Sequence, residues 1–215
     1  MTGPTHRQYS LTFALITSIV IYKNELTQVN YYMALPILIM AAKNGALFPD
    51  IDHSWQYVKE KTAINWVINK AIHLTRGRHR SWQTHSIDIV AVLSIISYFL
   101  PDILLKMGKL STTNREILSI LLMGFMSGWI SHIISDMMTS AGVRLLCFRD
   151  YKVAFVPKRI GRFRFNTGNE WESFNYMVMK GLNLVLGAIA IIYPAIHSGS
   201  LDRTIAYIKS FVGGV

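Results

Sequence analysis

The chain has 215 residues, of which 51% are hydrophobic and only 16% are charged. An average soluble domain carries about 25% charged residues, so this composition argues against a soluble protein and favours one that lies in lipid. The formal net charge of +10 is spread among loops and is not gathered on one domain, which argues against a nucleic-acid partner. The single cysteine, Cys147, excludes an intramolecular disulfide and disfavours a cysteine-based metal site.

Five apolar stretches approach the length of about 20 helical residues that crosses a bilayer. In chain order they lie near Tyr9 to Tyr22, Tyr31 to Pro49, Ile87 to Leu105, Ile117 to Ser135 and Gly181 to His197. The first stretch is short and the second contains Lys43 and Asn44, so four spans are the nearest alternative. We interpret the first stretch as a retained helix, because Lys23, Asn24 and Glu25 follow it in place of the small-residue cleavage site of a signal peptide. The sequence therefore predicts an all-α polytopic membrane protein with about five transmembrane helices and a single domain over residues 1–215.

The basic residues are distributed unequally between the two sides of the membrane. If the amino terminus is cytoplasmic, fifteen of the 22 Lys and Arg residues fall on the cytoplasmic side, six fall on the opposite side and Lys43 lies within a span. Loops rich in Lys and Arg stay in the cytoplasm. We therefore expect a cytoplasmic amino terminus.

Two non-spanning regions are long enough to hold structure of their own. The region from Ser54 to Ser86 mixes basic and aromatic residues, which is typical of an amphipathic helix at the headgroups; a short helix packed on the rest of the protein is the alternative. Within Thr139 to Lys180, the alternation from Arg162 to Phe165 followed by a turn sequence ending at Gly168 predicts a small hairpin.

A cluster of metal-binding residue types closes the second predicted span. Asp50, Asp52 and His53 offer two carboxylates and an imidazole within four residues, a composition suited to zinc, manganese or iron. Charged residues at a membrane boundary also cap helices or reach out to the headgroups. For this cluster alone, both interpretations stay open.

A second cluster, His79 to Ser86, opens the third predicted span on the same side. His79 and His85 are six residues apart and do not share a helical face, so a turn has to bring their rings together. Arg80 has the planar guanidinium that meets phosphates and carboxylates. The alternative is that these polar residues only lie at the membrane interface and bind no metal.

The fourth predicted span contains His132 and Asp136, whose spacing puts both side chains on one helical face. Lone membrane histidines often form hydrogen bonds between helices, but a histidine and a carboxylate one turn apart are costly to bury without a function. His6 precedes the first span, so metal-binding residue types mark four consecutive boundaries on the predicted cytoplasmic face. We leave out His73, which has no acidic neighbour, and His197, which ends the fifth span on the opposite face.

Taken together, these motifs resemble the YdjM-type family of bacterial inner-membrane proteins, described as membrane-bound, metal-dependent hydrolases. The resemblance covers most of the chain. It rests on His6, Pro49-Asp50-Ile51-Asp52-His53, His79-Arg80, Thr84-His85-Ser86, Gly128, Ser131-His132, Asp136, Thr139, Gly142 and Gly168-Asn169-Glu170-Trp171-Glu172. Ser81 departs from the family, which usually has glycine there, and this affects the local loop conformation.

The resemblance implies an inner-membrane location and a divalent metal site that takes zinc or manganese, as one or two ions. The implied ligands are His6, Asp50, Asp52, His53, His79, His85, His132 and Asp136. In the hydrolase that it implies, Arg80 neutralises charge on the substrate, and Glu172 is a general base or a further ligand. Hydroxyl groups of Thr84, Ser86 and Thr139 orient the ligands.

The leading functional hypothesis is hydrolysis of an ester or phosphoester in a lipid or lipid-linked molecule, at the cytoplasmic membrane boundary and among membrane lipids. A metal or proton transporter is the first rival, but the middle of the third to fifth spans is mostly apolar and offers little polar pathway. The second rival is a non-catalytic membrane protein in which the metal only fastens the cytoplasmic helix ends together.

Overall fold

The computed structural model describes residues 2–23, 31–58, 61–75, 80, 82–155 and 168–197. These residues form seven α-helices, two short 3-10 helices and one β-hairpin. In chain order the elements are α1 (Gly3–Lys23), α2 (Tyr31–Leu47), the 3-10 helices Pro49–Asp52 and Trp55–Tyr57, α3 (Ala63–Leu74), α4 (Trp82–His85), α5 (Ile87–Lys106), α6 (Thr112–Met137), β1 (Val143–Leu146), β2 (Arg149–Val153) and α7 (Glu170–His197). The predicted all-α polytopic architecture is confirmed.

Within the described part of the chain, four segments are long and apolar enough to cross a membrane: Tyr31–Asp52, Ile87–Lys106, Thr112–Met137 and Glu170–His197. Helix α1, at 21 residues, has a length of about 31 Å but does not reach the same hydropathy. Its buried face carries hydroxyl groups and His6, and it packs against α2, α6 and α7. Four apolar spans and one more polar, central helix therefore take the place of five similar spans.

The outward faces of α5 and α7 are apolar. Ile95 and Phe99 on α5 and Leu184 and Ile191 on α7 are each more than half exposed. Such continuous apolar surface is uncommon on soluble proteins. It is the surface that lipid covers in a membrane protein.

Helices α2 and α6 approach each other closely through glycines. A Cβ atom on Gly128 would lie 1.9 Å from the Ala42 carbonyl oxygen, and one on Gly45 would lie 1.9 Å from the Phe125 carbonyl oxygen. Gly124 and Gly128 are four residues apart on α6, the spacing of the small-residue motif that lets membrane helices pack backbone to backbone. Because of this contact, the C-terminal end of α2 lies beside the C-terminal half of α6, which contains His132.

Helix α3 is the amphipathic helix predicted between the second and third spans. Its inner side chain Asn69 donates hydrogen bonds to the Ile51 and His53 carbonyl oxygens, at 2.6 and 2.8 Å. Its outer side chains Ile64 and Val67 are exposed. The helix thus combines the two interpretations, since one face packs on the protein and the other presents apolar side chains to the surroundings.

A β-hairpin follows α6, as expected for this region, but at an earlier position than the predicted one. Strands β1 and β2 are antiparallel, with Val143 paired to Val153 and an irregularity before Leu146. Of the segment predicted as a hairpin, Arg162 to Thr167 lies outside the described residues. The observed hairpin connects to α5 through a bridge between Ser86 and Arg144.

Candidate metal centre

Four separate segments bring histidine and aspartate side chains to one place. Helix α1 supplies His6, the 3-10 helix after α2 supplies Asp50, and α4 supplies His85. Helix α6 supplies His132 and Asp136. Their donor atoms form two overlapping groups, in each of which all atoms lie within 4.8 Å of one another: His6, His132 and Asp136, and Asp50, His85 and His132.

His132 is the centre of both groups and is fully buried. Its Nδ1 lies 2.7 Å from the Ala46 carbonyl oxygen, which can only accept, so Nδ1 carries the proton. Its Nε2 is therefore an acceptor, and it has no hydrogen-bond partner. Instead it points between Asp50 Oδ1 and Asp136 Oδ2, each 3.8 Å away. A buried nitrogen lone pair facing two carboxylates is the geometry of a metal ligand.

His6 has the same arrangement of its two ring nitrogens. Nδ1 lies 2.6 Å from Ser135 Oγ, and that hydroxyl donates its own proton to the His132 carbonyl oxygen. Nδ1 of His6 must therefore be the donor, which leaves the Nε2 lone pair 3.5 Å from Asp136 Oδ1. The His6 and His132 rings stack with centroids 3.9 Å apart and planes 9° from parallel, an arrangement that suits two neutral rings.

His85 is oriented by a carboxylate. Its Nδ1 lies 3.2 Å from Asp52 Oδ2, and the Thr84 hydroxyl donates to that same oxygen at 2.7 Å. Its Nε2 faces Asp136 Oδ2 at 3.8 Å. A carboxylate that holds a histidine whose other nitrogen faces the metal is a common arrangement around metal sites. Asp52 thus contacts a ligand, and it belongs to neither of the two groups.

The donor set fits a divalent transition metal. Tetrahedral zinc with bonds of about 2.0–2.1 Å requires donor atoms about 3.4 Å apart, close to the observed separations of 3.5 to 3.8 Å. His132 Nε2 has a single lone pair and cannot serve both groups separately. The two groups therefore describe one shared site, and a second ion would need a bridging carboxylate.

Arg80 lies beside this site in an uncommon backbone conformation, with φ at +62°. Left-handed backbone in a residue other than glycine is costly and is often found at functional sites. One guanidinium nitrogen lies 3.1 Å from Asp136 Oδ2 and another lies 3.5 Å from Thr139 Oγ1. Thr139 in turn donates to the Asp136 carbonyl oxygen.

The remaining predicted residues have other surroundings. His79 lies outside the described residues. The His53 ring packs against Tyr57, with centroids 6.1 Å apart, and is in neither metal-binding group. Ser86 Oγ donates to the Trp82 carbonyl oxygen, so this hydroxyl closes the short helix α4 and does not orient a ligand.

Glu172 contacts the start of α1. Its side chain accepts hydrogen bonds from Thr2, Thr5 and the Gly168 backbone. These contacts connect the start of α7 to the start of α1 and use both carboxylate oxygens. Glu172 is in neither metal-binding group, and its role as a base or ligand stays a prediction.

Two supporting contacts were not predicted. Ser135 lies three residues after His132, so helical spacing could have indicated it as a neighbour of the site. The Ala46 carbonyl group carries no sequence signal, because its approach to His132 depends on the glycine contact between α2 and α6.

A cavity of about 560 Å³ opens from the site. Its lining includes the ionisable side chains of His6, Asp50, Arg80 and Asp136. The rest of its lining mixes apolar and polar side chains from the end of α2, the 3-10 region, α3 and α6. Leu47, Phe48, Ile51, Val58, Ile64 and Phe125 are apolar, and Asn44, His53, Thr62 and Asn65 are polar. The cavity can therefore hold a molecule with a polar and an apolar part.

Comparison with known proteins places the chain in a family. The family described as "YdjM inner membrane protein" matches residues 1–198. The proteins named "Inner membrane protein YdjM" from Escherichia coli (strain K12) and from Shigella flexneri are each 31% identical over 182 residues, which covers 83% of this chain and 79% of the relative. No solved structure matches the chain significantly. These matches and the apolar helices indicate a location in the inner membrane, and the chain belongs to the YdjM inner membrane protein family.

Proposed function

We propose that this protein is a membrane-bound, metal-dependent hydrolase that acts on an ester or phosphoester of a lipid or lipid-linked molecule. The observation that carries the proposal is His132 Nε2. This buried nitrogen has no hydrogen-bond partner and lies 3.8 Å from the carboxylates of Asp50 and Asp136, both of which line the cavity. An unsatisfied buried acceptor is costly, and a bound cation would remove that cost.

The metal would be held by the Nε2 atoms of His6, His85 and His132 and by Asp136, with Asp50 as a further ligand. Three histidines with carboxylates suit zinc or manganese. A catalytic divalent metal lowers the pKa of bound water and polarises the substrate oxygen. In this scheme Asp52 holds His85 in orientation, while Ser135 and Ala46 do the same for His6 and His132.

Arg80 would bind the negative charge of the substrate. Its side chain is 22% exposed and Arg80 lines the cavity, which leaves room for a second anion beside Asp136. Arginine forms two parallel hydrogen bonds to a phosphate or carboxylate. This supports a phosphoester or another anionic substrate over a neutral ester.

The lining of the cavity supports an amphiphilic substrate. The lining includes the proposed ligands His6, Asp50 and Asp136 and also Arg80, together with the apolar side chains of Leu47, Phe48 and Phe125. Ile64 and Asn65 of α3 also line the cavity, and α3 presents apolar side chains outward. A lipid could thus enter from the adjoining leaflet, which the excess of basic residues on the same loops suggests is the cytoplasmic one.

These features favour hydrolysis over transport. Among the described residues of α1, only Gly3 and His6, both in its first turn, line the cavity. Deeper polar side chains of α1 form hydrogen bonds with neighbouring helices: Thr12 donates to Asn183 and Ser18 accepts from Tyr31. Such contacts join helices in lipid and do not by themselves form a pathway for ions.

The test begins with elemental analysis of protein purified in detergent without chelator, followed by assays on phospholipids, lipid-linked phosphates and soluble phosphomonoesters. We expect about one zinc or manganese ion per chain and turnover of at least one amphiphilic substrate. His132→Ala should lose both metal and turnover, whereas His197→Ala, at the far end of α7, should retain both. Metal without turnover of any substrate would favour the non-catalytic alternative, and wild-type protein without metal would refute the proposal.

A further inference from the structure

Glu172 is a buried carboxylate, 3% exposed, that the proposed chemistry does not use. Its Oε1 accepts from the Thr2 backbone N–H, from the Thr2 hydroxyl at 2.8 Å and from the Thr5 hydroxyl at 2.9 Å. Its Oε2 accepts from the Gly168 backbone N–H at 2.7 Å. A carboxylate with this many donors is held firmly in one orientation, and it holds its donors in turn.

The donors of Glu172 are joined directly to His6. The Thr2 carbonyl oxygen accepts from the His6 backbone N–H at 3.1 Å, and Thr5 precedes His6 in the chain. The Thr2 and Thr5 hydroxyls are 3.0 Å apart. Glu172 thus fixes the first turn of α1, where backbone N–H groups lack partners within the helix, and this turn carries the His6 ring to Asp136.

Helices α1 and α7 are also connected farther along by neutral polar side chains. The Tyr9 hydroxyl donates to Asn175 at 3.1 Å, and Asn183 accepts from Thr12 at 2.6 Å and donates to the Gln8 carbonyl oxygen at 3.0 Å. Contacts of this kind hold membrane helices together. Glu172 is distinguished from Asn175 and Asn183 by its charge and by its position beside the turn that carries His6.

We propose that Glu172 is a positioning residue of the metal centre, which fixes the first turn of α1 and so holds the His6 Nε2 atom against Asp136 and His132. The inference rests on the proposed metal site and assigns Glu172 no contact with the reacting atoms. Loss of a group that orients a metal ligand typically weakens metal binding by about 10–100-fold. Glu172 acts on His6 alone, so its effect should disappear when His6 is absent.

The experiment titrates Co²⁺ into metal-free, full-length protein in detergent and follows the visible absorption of the bound ion. Glu172→Ala should weaken binding by about tenfold or more and should change the spectrum in the same direction as His6→Ala. The double variant His6→Ala with Glu172→Ala should bind as His6→Ala does, because coupled residues give non-additive effects. If Glu172→Ala fails to insert, Glu172→Gln carries the test: it keeps one acceptor oxygen but cannot accept from Gly168, so a smaller weakening is expected.

Two control variants separate positioning from general helix packing. Glu170→Ala removes an exposed carboxylate two residues from Glu172. Asn183→Ala breaks the α1 to α7 contacts at Gln8 and Thr12, beyond the first turn of α1 that Glu172 holds. Both variants should bind Co²⁺ as the wild type does. Wild-type affinity in Glu172→Ala, an additive double variant, or equal weakening by Asn183→Ala would each overturn the positioning role while leaving the metal site in place. A wild-type protein that binds no Co²⁺ would overturn the metal site and the positioning role together.

Discussion

Replacing Gly128 by alanine is expected to separate α2 from α6 and to loosen the proposed metal centre. The added Cβ would lie 1.9 Å from the Ala42 carbonyl oxygen and 2.7 Å from its carbon, whereas unbonded heavy atoms approach to about 3.5 Å. The atoms that the Cβ would meet belong to the backbone of Ala42, so no change of side-chain rotamer relieves the clash. The helices must then move apart by about 1.5 Å locally. Overpacking of this kind typically costs about 1–3 kcal/mol.

The same movement reaches His132, because Ala46 lies one helical turn beyond Ala42. Its hydrogen bond to His132 Nδ1, at 2.7 Å, would stretch past the limit of about 3.5 Å for such bonds. His132 would lose the contact that orients its ring. We therefore expect Gly128→Ala to lower both the free energy of unfolding and the affinity for metal.

The control is Gly187→Ala on α7, where an added Cβ has no atom within 4 Å. This variant should change the free energy of unfolding by no more than about 0.5 kcal/mol. The assay is reversible unfolding of both variants in the same detergent, followed by metal analysis of the folded protein. Equal stability and equal metal content in the two variants would refute the close α2 to α6 contact as the support of His132.

Three further predictions test the site and the topology. Asp136→Ala should reduce metal affinity by more than about 100-fold, since it removes a proposed ligand, while His197→Ala should leave it unchanged in the same titration. Arg80→Lys should keep its metal but lose roughly 10²-fold in turnover of an anionic substrate, because an ammonium cannot reproduce the planar fork; wild-type turnover would remove the anion-binding role. A reporter fused after Tyr151 should score cytoplasmic and one fused after Lys109 should score on the far side, and the reverse result would invert the orientation.

Local sequence patterns were sufficient for the features that depend on local geometry. Helices α5 and α6 are evident in the hydropathy because lipid requires long apolar segments with internally bonded backbone. The spacing of His132 and Asp136 puts both on one face in any regular helix. The extent of α1 was underestimated, since its buried face carries polar side chains such as Ser10 and Ser18 that lower its hydropathy.

The sequence did not predict the features that depend on tertiary contacts. Asp50 and Asp52 have the same side chain, but they lie in a 3-10 helix that turns about 120° per residue. One therefore faces His132 and the other faces His85. Glu172 has the residue type of a general base, and the sequence carries no sign of its hydrogen bond with Thr2, 170 positions earlier in the chain, on which the proposed positioning role rests.

The charges of the candidate site favour one bound dication over two. Asp50, Asp52 and Asp136 contribute three negative charges, and Arg80 contributes one positive charge. The hydrogen bonds of His6 and His132 favour neutral rings. With the His85 ring counted as neutral as well, three carboxylates and one guanidinium give the group a formal charge of about −2 before a metal binds. Net charge is costly at a membrane boundary, and one divalent ion would cancel it. A second divalent ion would give the site a net positive charge, unless the substrate brought a compensating negative charge. A phosphoester held by Arg80 is such an anion, so any second ion is expected to bind with the substrate and not before it.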